Sequence, residues 1–197
     1  NITIEIDGKN YTKPIVDGKA TFEIENLTAG EKSVFARYEG DDNYAPNQAT
    51  DSFKVSKLPS EVSATITDTK VGENVTITVK VPSDATGQVL IDIGGVGYYV
   101  NVTDGTGSIE IPRMPSGVYE VDLTYTGDDK YLPNTNSTTF HVDKAESFVI
   151  PIAHDIYVGE VETITIHVPS DATGTITIEI DGKTYKFINK SSSYDNN

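Results

Sequence analysis

The chain has 197 residues, with 30 acidic against 15 basic side chains, a net charge of −15 and no cysteine. That balance disfavours nucleic acid and anionic membrane surfaces as partners, and the missing cysteines exclude a disulfide framework and a thiolate metal site. No apolar run approaches the roughly 18 residues of a membrane span, and the polar N-terminus is unlike a signal peptide.

Taken in order, the chain reads as strands separated by turns. Asp7-Gly8 and Asp17-Gly18 are pairs that accept positive φ in tight hairpins. YEGDDNYAPN (38–47) and SFKVSK (52–57) follow, and VSATIT from Val62 predicts the next strand. NVTITVKV (74–81) sets Val75, Ile77, Val79 and Val81 on one face and Thr76, Thr78 and Lys80 on the other, the period of two of a half-buried strand. VPSDATG (81–87) is a turn, because proline ends a strand and Asp and Gly reverse the chain. The alternation resumes in QVLIDI (88–93), GYYVNV (97–102), SIEI (108–111), VYEVDLTY (118–125) and TTFHV (138–142), with Asp104-Gly105 between the second and third. Pro82, Pro112, Pro115, Pro133 and Pro169 stand at strand ends, where no ladder hydrogen bond is lost. VPSDATG then returns at 168–174 between TITIHV and TITIEI, and Asp181-Gly182 closes the pattern.

The two VPSDATG stretches lie 87 residues apart, and the offset holds elsewhere without insertion. Ile6, Ile93 and Ile180 obey it, as do Gly8, Gly95 and Gly182, and Tyr11, Tyr98 and Tyr185. A chain that keeps register over two periods reads as a tandem array. We therefore expect the C-terminal part of one repeat at 1–57, a complete repeat at 58–144 and the N-terminal part of a third at 145–197, so that the sequence is an excerpt beginning and ending inside repeats. About seven antiparallel strands per repeat predict an all-β chain of tandem immunoglobulin-like sandwiches. The short joints VSKLPSE and VDKAESF predict limited bending between units.

YEGDDNYAPN and YTGDDKYLPN, each followed by a Thr/Ser-rich strand, and VGENVTI opening the next unit resemble the bacterial and archaeal Ig-like repeats of long cell-surface adhesin-like proteins, including those of methanogens. The G-D-x-x-Y-x-P turn is the sharpest part of the resemblance, which covers the whole chain. It implies a non-enzymatic, extracellular, cell-surface segment and brings no catalytic residue with it.

The chemical candidates are few. His141, His154 and His167 correspond at the 87-residue offset to Lys54, Thr67 and Lys80, so no histidine recurs. No Ser or Thr stands beside an oriented base, and no catalytic residue or cofactor is expected. Asp41-Asp42 and Asp128-Asp129 do recur and are the candidates for Ca²⁺, which takes six to eight oxygens; the competing reading is an Asp bonded back to its own turn with Tyr44 or Tyr131 packed under the loop. A covalent lysine staple would need a lysine buried beside Asn or Asp, and only Lys32 takes an inward phase, with Tyr119 as its counterpart. N-x-S/T sequons stand at Asn1, Asn10, Asn26, Asn74, Asn101, Asn136 and Asn189 and are candidates for glycosylation, which would place them outside the cell.

The function expected is therefore a stalk or attachment segment. Its alternatives are a module binding a host or neighbouring cell-surface glycan or protein, for which Tyr98, Tyr99 and Tyr119 are the hints, and a fibre subunit self-associating through incomplete terminal repeats by strand addition.

Overall fold

The computed structural model describes residues 1–189. The strands, in chain order, are β1 (Ile2–Ile6), β2 (Lys9–Lys13), β3 (Gly30–Tyr38), β4 (Asn47–Val55), β5 (Ser63–Ile66), β6 (Thr69–Lys70), β7 (Asn74–Lys80) and β8 (Gln88–Ile93). They continue as β9 (Val96–Asn101), β10 (Thr106–Pro112), β11 (Gly117–Tyr125), β12 (Asn134–Asp143), β13 (Ile150–Ile152), β14 (Thr165–His167), β15 (Gly174–Ile180) and β16 (Lys183–Asn189). The described residues are all-β, as the period-two patterning predicts. They divide into two compact units, residues 1–143 and the part from Lys144 onward.

Residues 62–143 form a two-sheet sandwich. One sheet has the order β10-β7-β5 and the other β6-β12-β11-β8-β9. The residues that alternation assigns inward meet between them: Val75, Ile77, Val79, Val89, Val121 and Tyr125 are fully buried. Burying apolar surface at about 25 cal/mol per Å² drives this packing. The strand pattern omits one element, β6, which runs parallel to β12 through Val142↔Thr69 and Asp143↔Lys70. Here the chain leaves the β5 edge and crosses to the other sheet, and Asp68 Oδ1 accepts the His141 amide at 2.8 Å across the new contact.

Residues 1–57 build a single sheet, β2-β1-β3-β4. Asp7-Gly8 and Asp17-Gly18 take the positive φ expected of them, as do Asp104-Gly105 and Asp181-Gly182. One side of the sheet holds Ile4, Ile6 and Lys32. Lys32 is 6% exposed, and its Nζ donates to Asp7 Oδ2 at 2.7 Å and to Thr28 Oγ1 at 2.9 Å. Tyr119, 87 residues on, reaches back in the same way, its hydroxyl donating to Pro115 O at 2.8 Å while its ring stacks on Phe140. The lysine is thus held as an ion pair in place of a stacked aromatic.

Residues 144–189 hold two separate two-stranded sheets, β13-β14 and β15-β16. The registers repeat across the chain: Ile4↔Tyr11, Ile91↔Tyr98 and Ile178↔Tyr185 are equivalent pairs, as are Ala64↔Val79 and Pro151↔Ile166.

Candidate functional site

The most connected polar cluster lies where the linker at 57–60 enters the sandwich, and it joins three stretches that are distant in sequence. The first is the loop at 127–134 between β11 and β12. Asp128 Oδ1 accepts the amides of Lys130 and Tyr131 at 2.8 and 2.7 Å, and the Asp128 amide donates to Tyr131 O. This is the Asp-led turn weighed against Ca²⁺ above. Gly127, at φ +77°, is required: a Cβ there would stand 2.9 Å from Pro133 N and Tyr131 O.

The second stretch is the VPSDATG turn at 81–87. It turns the chain as expected, with the Ala85 amide on Pro82 O at 2.9 Å, and it also docks on the loop. Asp128 Oδ2 accepts the Thr86 amide at 2.8 Å and its hydroxyl at 3.2 Å. Asp84 accepts the Tyr131 hydroxyl at 2.6 Å and pairs with Lys130 Nζ. The two backbones approach so closely that a Cβ on Gly87 would lie 3.0 Å from Gly127 O.

The third stretch is the linker. The Leu58 amide donates to Lys130 O at 2.8 Å and Leu58 O accepts the Leu132 amide at 2.9 Å, a short parallel bridge. Lys57 Nζ binds Asp128 O, Ser60 Oγ donates to Leu132 O at 2.7 Å, and Asn134 Nδ2 donates to Ser60 O. Backbone and side chains together hold three of the four linker residues, Lys57, Leu58 and Ser60, against the loop.

The electrostatics follow from this bonding. Burial pushes the Asp128 carboxyl up, but the amides of Thr86, Tyr131 and Lys130 and the neighbouring Tyr125 hydroxyl outweigh it and hold it down to about 2. The Lys130 ammonium and then the Tyr131 hydroxyl lower Asp84. Burial, followed by Asp128, raises the Tyr125 hydroxyl, which donates to Thr86 O at 2.7 Å.

The corresponding loop at 40–47 keeps the inner turn and loses the docking. Asp41 Oδ1 accepts the Asn43 and Tyr44 amides at 2.8 Å, while Oδ2 takes the Tyr38 hydroxyl at 2.6 Å. That hydroxyl is the leading cause that lowers the Asp41 carboxyl. Tyr131 is 8% exposed and Tyr44 70%, so the expectation of a tyrosine under the loop describes Tyr131 and is corrected for Tyr44. Leu58 bridges to Tyr131 and Asp84 takes its hydroxyl.

Asp42 and Asp129 are exposed. Among the described residues no group of three or more His, Asp or Glu side chains gathers in a metal-holding arrangement. His141, His154 and His167 are all exposed and separate; His154 Nδ1 lies 3.7 Å from Glu162. Tyr99 is exposed while Tyr98 and Tyr119 are partly buried against the core. Of the sequon asparagines, Asn1, Asn10, Asn26, Asn74 and Asn101 are exposed, Asn136 is engaged through Nδ2 with Val62 O at 2.8 Å, and Asn189 closes β16.

The sequence pattern puts Lys57 in a joint and VPSDATG in a turn and connects neither to the loop. The available signal was that loop, turn and linker recur with one spacing. No helix of the described residues is long and apolar enough to cross a membrane. No curated protein matches the chain. Residues 62–143 match the bacterial Ig-like domain (group 3), a family that is typically non-catalytic and often extracellular or surface-exposed, and the match supports an Ig-like domain family for this sandwich.

Proposed function

We propose that the chain is a non-enzymatic, extracellular stalk or attachment segment of an adhesin-like cell-surface protein built of tandem Ig-like repeats, with units at 1–57, 58–144 and 145–197. The observation that carries this reading is the joint. A loop that recurs in the sequence spends its hydrogen-bonding groups on holding the linker at 57–60, so the strongest polar cluster serves connection rather than chemistry. A pinned linker transmits orientation from one unit to the next, which a spacer needs and a soluble enzyme does not. The sequons at Asn10, Asn26, Asn74, Asn101, Asn136 and Asn189 fit the same place, because surface glycans keep similar sheet edges from pairing with one another.

The test is binding of the purified chain to a broad array of cell-surface glycans and proteins, with and without Ca²⁺. A stalk gives no saturable signal in either condition. A saturable hit overturns the reading in favour of a recognition module, and a hit that requires calcium assigns Asp41, Asp42, Asp128 and Asp129 to it.

A further inference from the structure

Strand β9 of the sandwich carries a ring and an amide that the core does not use. Along Val96–Asn101 the side chains alternate: Tyr98 and Val100 turn towards the core, and Tyr99 and Asn101 stand on the outer face of the five-stranded sheet. On the neighbouring strand Leu90 lies opposite Tyr99 and Gln88 opposite Asn101. Tyr99 is 66% exposed. Asn101 opens the sequon Asn101-Val102-Thr103. Its Oδ1 accepts Gln88 Nε2 at 2.9 Å, which orients the amide, and no group among the described residues engages Nδ2, the atom that carries an N-glycan. Thr103, whose hydroxyl completes the sequon, is exposed and sits at the bridge to Thr106 that frames the Asp104-Gly105 turn.

The other sequons lack this combination. Asn136 Nδ2 is spent on Val62 O at 2.8 Å. In the Asn26 sequon Thr28 Oγ1 accepts Lys32 Nζ at 2.9 Å, and in the Asn10 sequon Thr12 Oγ1 is bonded to Thr3 Oγ1 at 2.8 Å. Gly72 stands two residues before Asn74, where Asn101 has Tyr99. Phe187 precedes Asn189 at the same spacing, but that sequon runs past the described residues. At the 87-residue offset Tyr99 and Asn101 correspond to Thr12 and Pro14 and to Lys186 and Ile188. The pair is therefore no requirement of the repeated scaffold.

We propose that Asn101 carries an N-linked glycan whose first sugar lies on the Tyr99 ring. Side chains two apart on one face of a strand are separated by about 6.5 Å, a span that a pyranose attached at Nδ2 covers. The C–H groups of one sugar face then meet the negative face of the aromatic quadrupole. In the transfer, Nδ2 bonds to C1 of the reducing-end sugar of a lipid-phosphate-linked oligosaccharide. The bond from C1 to the phosphate oxygen breaks, the lipid phosphate leaves with the bonding pair, and the amide releases one proton. Because β9 ends its sheet, a glycan here also shields the edge at which a similar sandwich could add a strand. The inference rests on the extracellular part of the stalk reading, which supplies the donor, and deepens it by naming one site and the surface that site covers.

The test uses the whole chain secreted from a host that attaches N-glycans, trimmed enzymatically to a single N-acetylglucosamine on each occupied asparagine. Peptide mapping by mass spectrometry should find that sugar on Asn101. In NMR its ring protons should lie upfield of those in free N-acetylglucosaminyl-asparagine, and exchange of the β8 and β9 amides should be about 2- to 10-fold slower than in Asn101→Gln. Tyr99→Ala should abolish both effects in the glycosylated chain, and Tyr99→Phe, which keeps the ring, should retain them. Asn101 bare while other sequons are occupied overturns the inference and leaves the stalk reading in place. A chain bare at every sequon overturns the inference and also removes the support that the sequons lend to that reading. Unshifted sugar protons, or equal slowing in Tyr99→Ala, overturn the stacking and with it the proposal. A saturable hit on the array of glycans and proteins, from a chain whose Asn101 sugar is stacked, supports the proposal and sinks the stalk reading alone.

Discussion

Residues 19–25 and β10 have nearly the same alternation, yet only β10 is a strand. The difference lies outside both segments: β10 has β7 to pair with and a second sheet to face. A period of two therefore encodes which side chains belong inside, and it becomes a strand only where a partner supplies hydrogen bonds and a facing layer supplies burial. Tyr44 and Tyr131 repeat the point for a loop, and Ile164 and Ile77 for a core strand. Equivalent residues take their energetic weight from what covers them.

The largest contrast is expected at the aromatic pair. Phe140 stacks on Tyr119 at 5.2 Å between centroids and is almost fully buried. Phe140→Ala should destabilise the sandwich by about 3–5 kcal/mol. Phe53→Ala, at the equivalent position on an open face, should cost about 1 kcal/mol or less. Both residues lie within the same compact unit, 1–143, so a melting curve does not resolve the two regions. Native-state hydrogen exchange reads the amides of β11 and β3 separately. Equal losses in the two regions would mean that Phe53 is covered in solution.

The joint gives the next contrast. Removing the Asp128 carboxylate strips partners from the Thr86, Lys130 and Tyr131 amides at once. Asp128→Ala should cost about 2–3 kcal/mol and should speed exchange at Leu58 and Leu132, whose amides form the linker bridge. Asp41→Ala removes the turn within its own loop and the acceptor of the Tyr38 hydroxyl at the end of β3, with no contact to a linker, and should leave the exchange of the β3 backbone amides nearly unchanged. Faster exchange at β3 in Asp41→Ala, or none at Leu58 in Asp128→Ala, would show that the two loops are not filled and unfilled versions of one device.

How far these contrasts could be read in advance depends on the range of the interaction. Val75, Ile77 and Val79 are placed inside by local alternation, and Asp104-Gly105 turns the chain through its own backbone preferences, so both are legible without a fold. Lys32 was legible as inward, but its partner Asp7 was assigned only to a turn. The contact of Asp84 with Tyr131 spans 47 residues, and nothing within either motif announces it. β6 is missed for a related reason: two residues are too few for a period, and their pairing with Val142 and Asp143 is parallel and long-range. The openness of residues 19–25 lies beyond any local pattern, since the segment itself is a well-formed strand sequence.

The smallest contrast is in acid. Asp128 sits at about 2 in the folded protein against an ordinary 3.8, with burial opposed and outweighed by its amide donors. A carboxyl held below its unfolded value contributes stability that is fully present above about pH 4 and is lost as pH falls through about 2. For this partly exposed group the contribution is about 2 kcal/mol at most, discounted for solvent screening. Asp84 is shifted in the same direction by Lys130 and Tyr131, so its contribution to the filled joint is likewise lost in acid. The linker should therefore be freed before the sandwich core, whose buried side chains carry no group that titrates in acid. Exchange at Leu58 measured between pH 4 and pH 2 should rise ahead of that at Val121, and Asp128→Asn should flatten the difference. A coincident rise at both positions would place the acid-sensitive groups in the core instead and remove the joint as a separately breakable element.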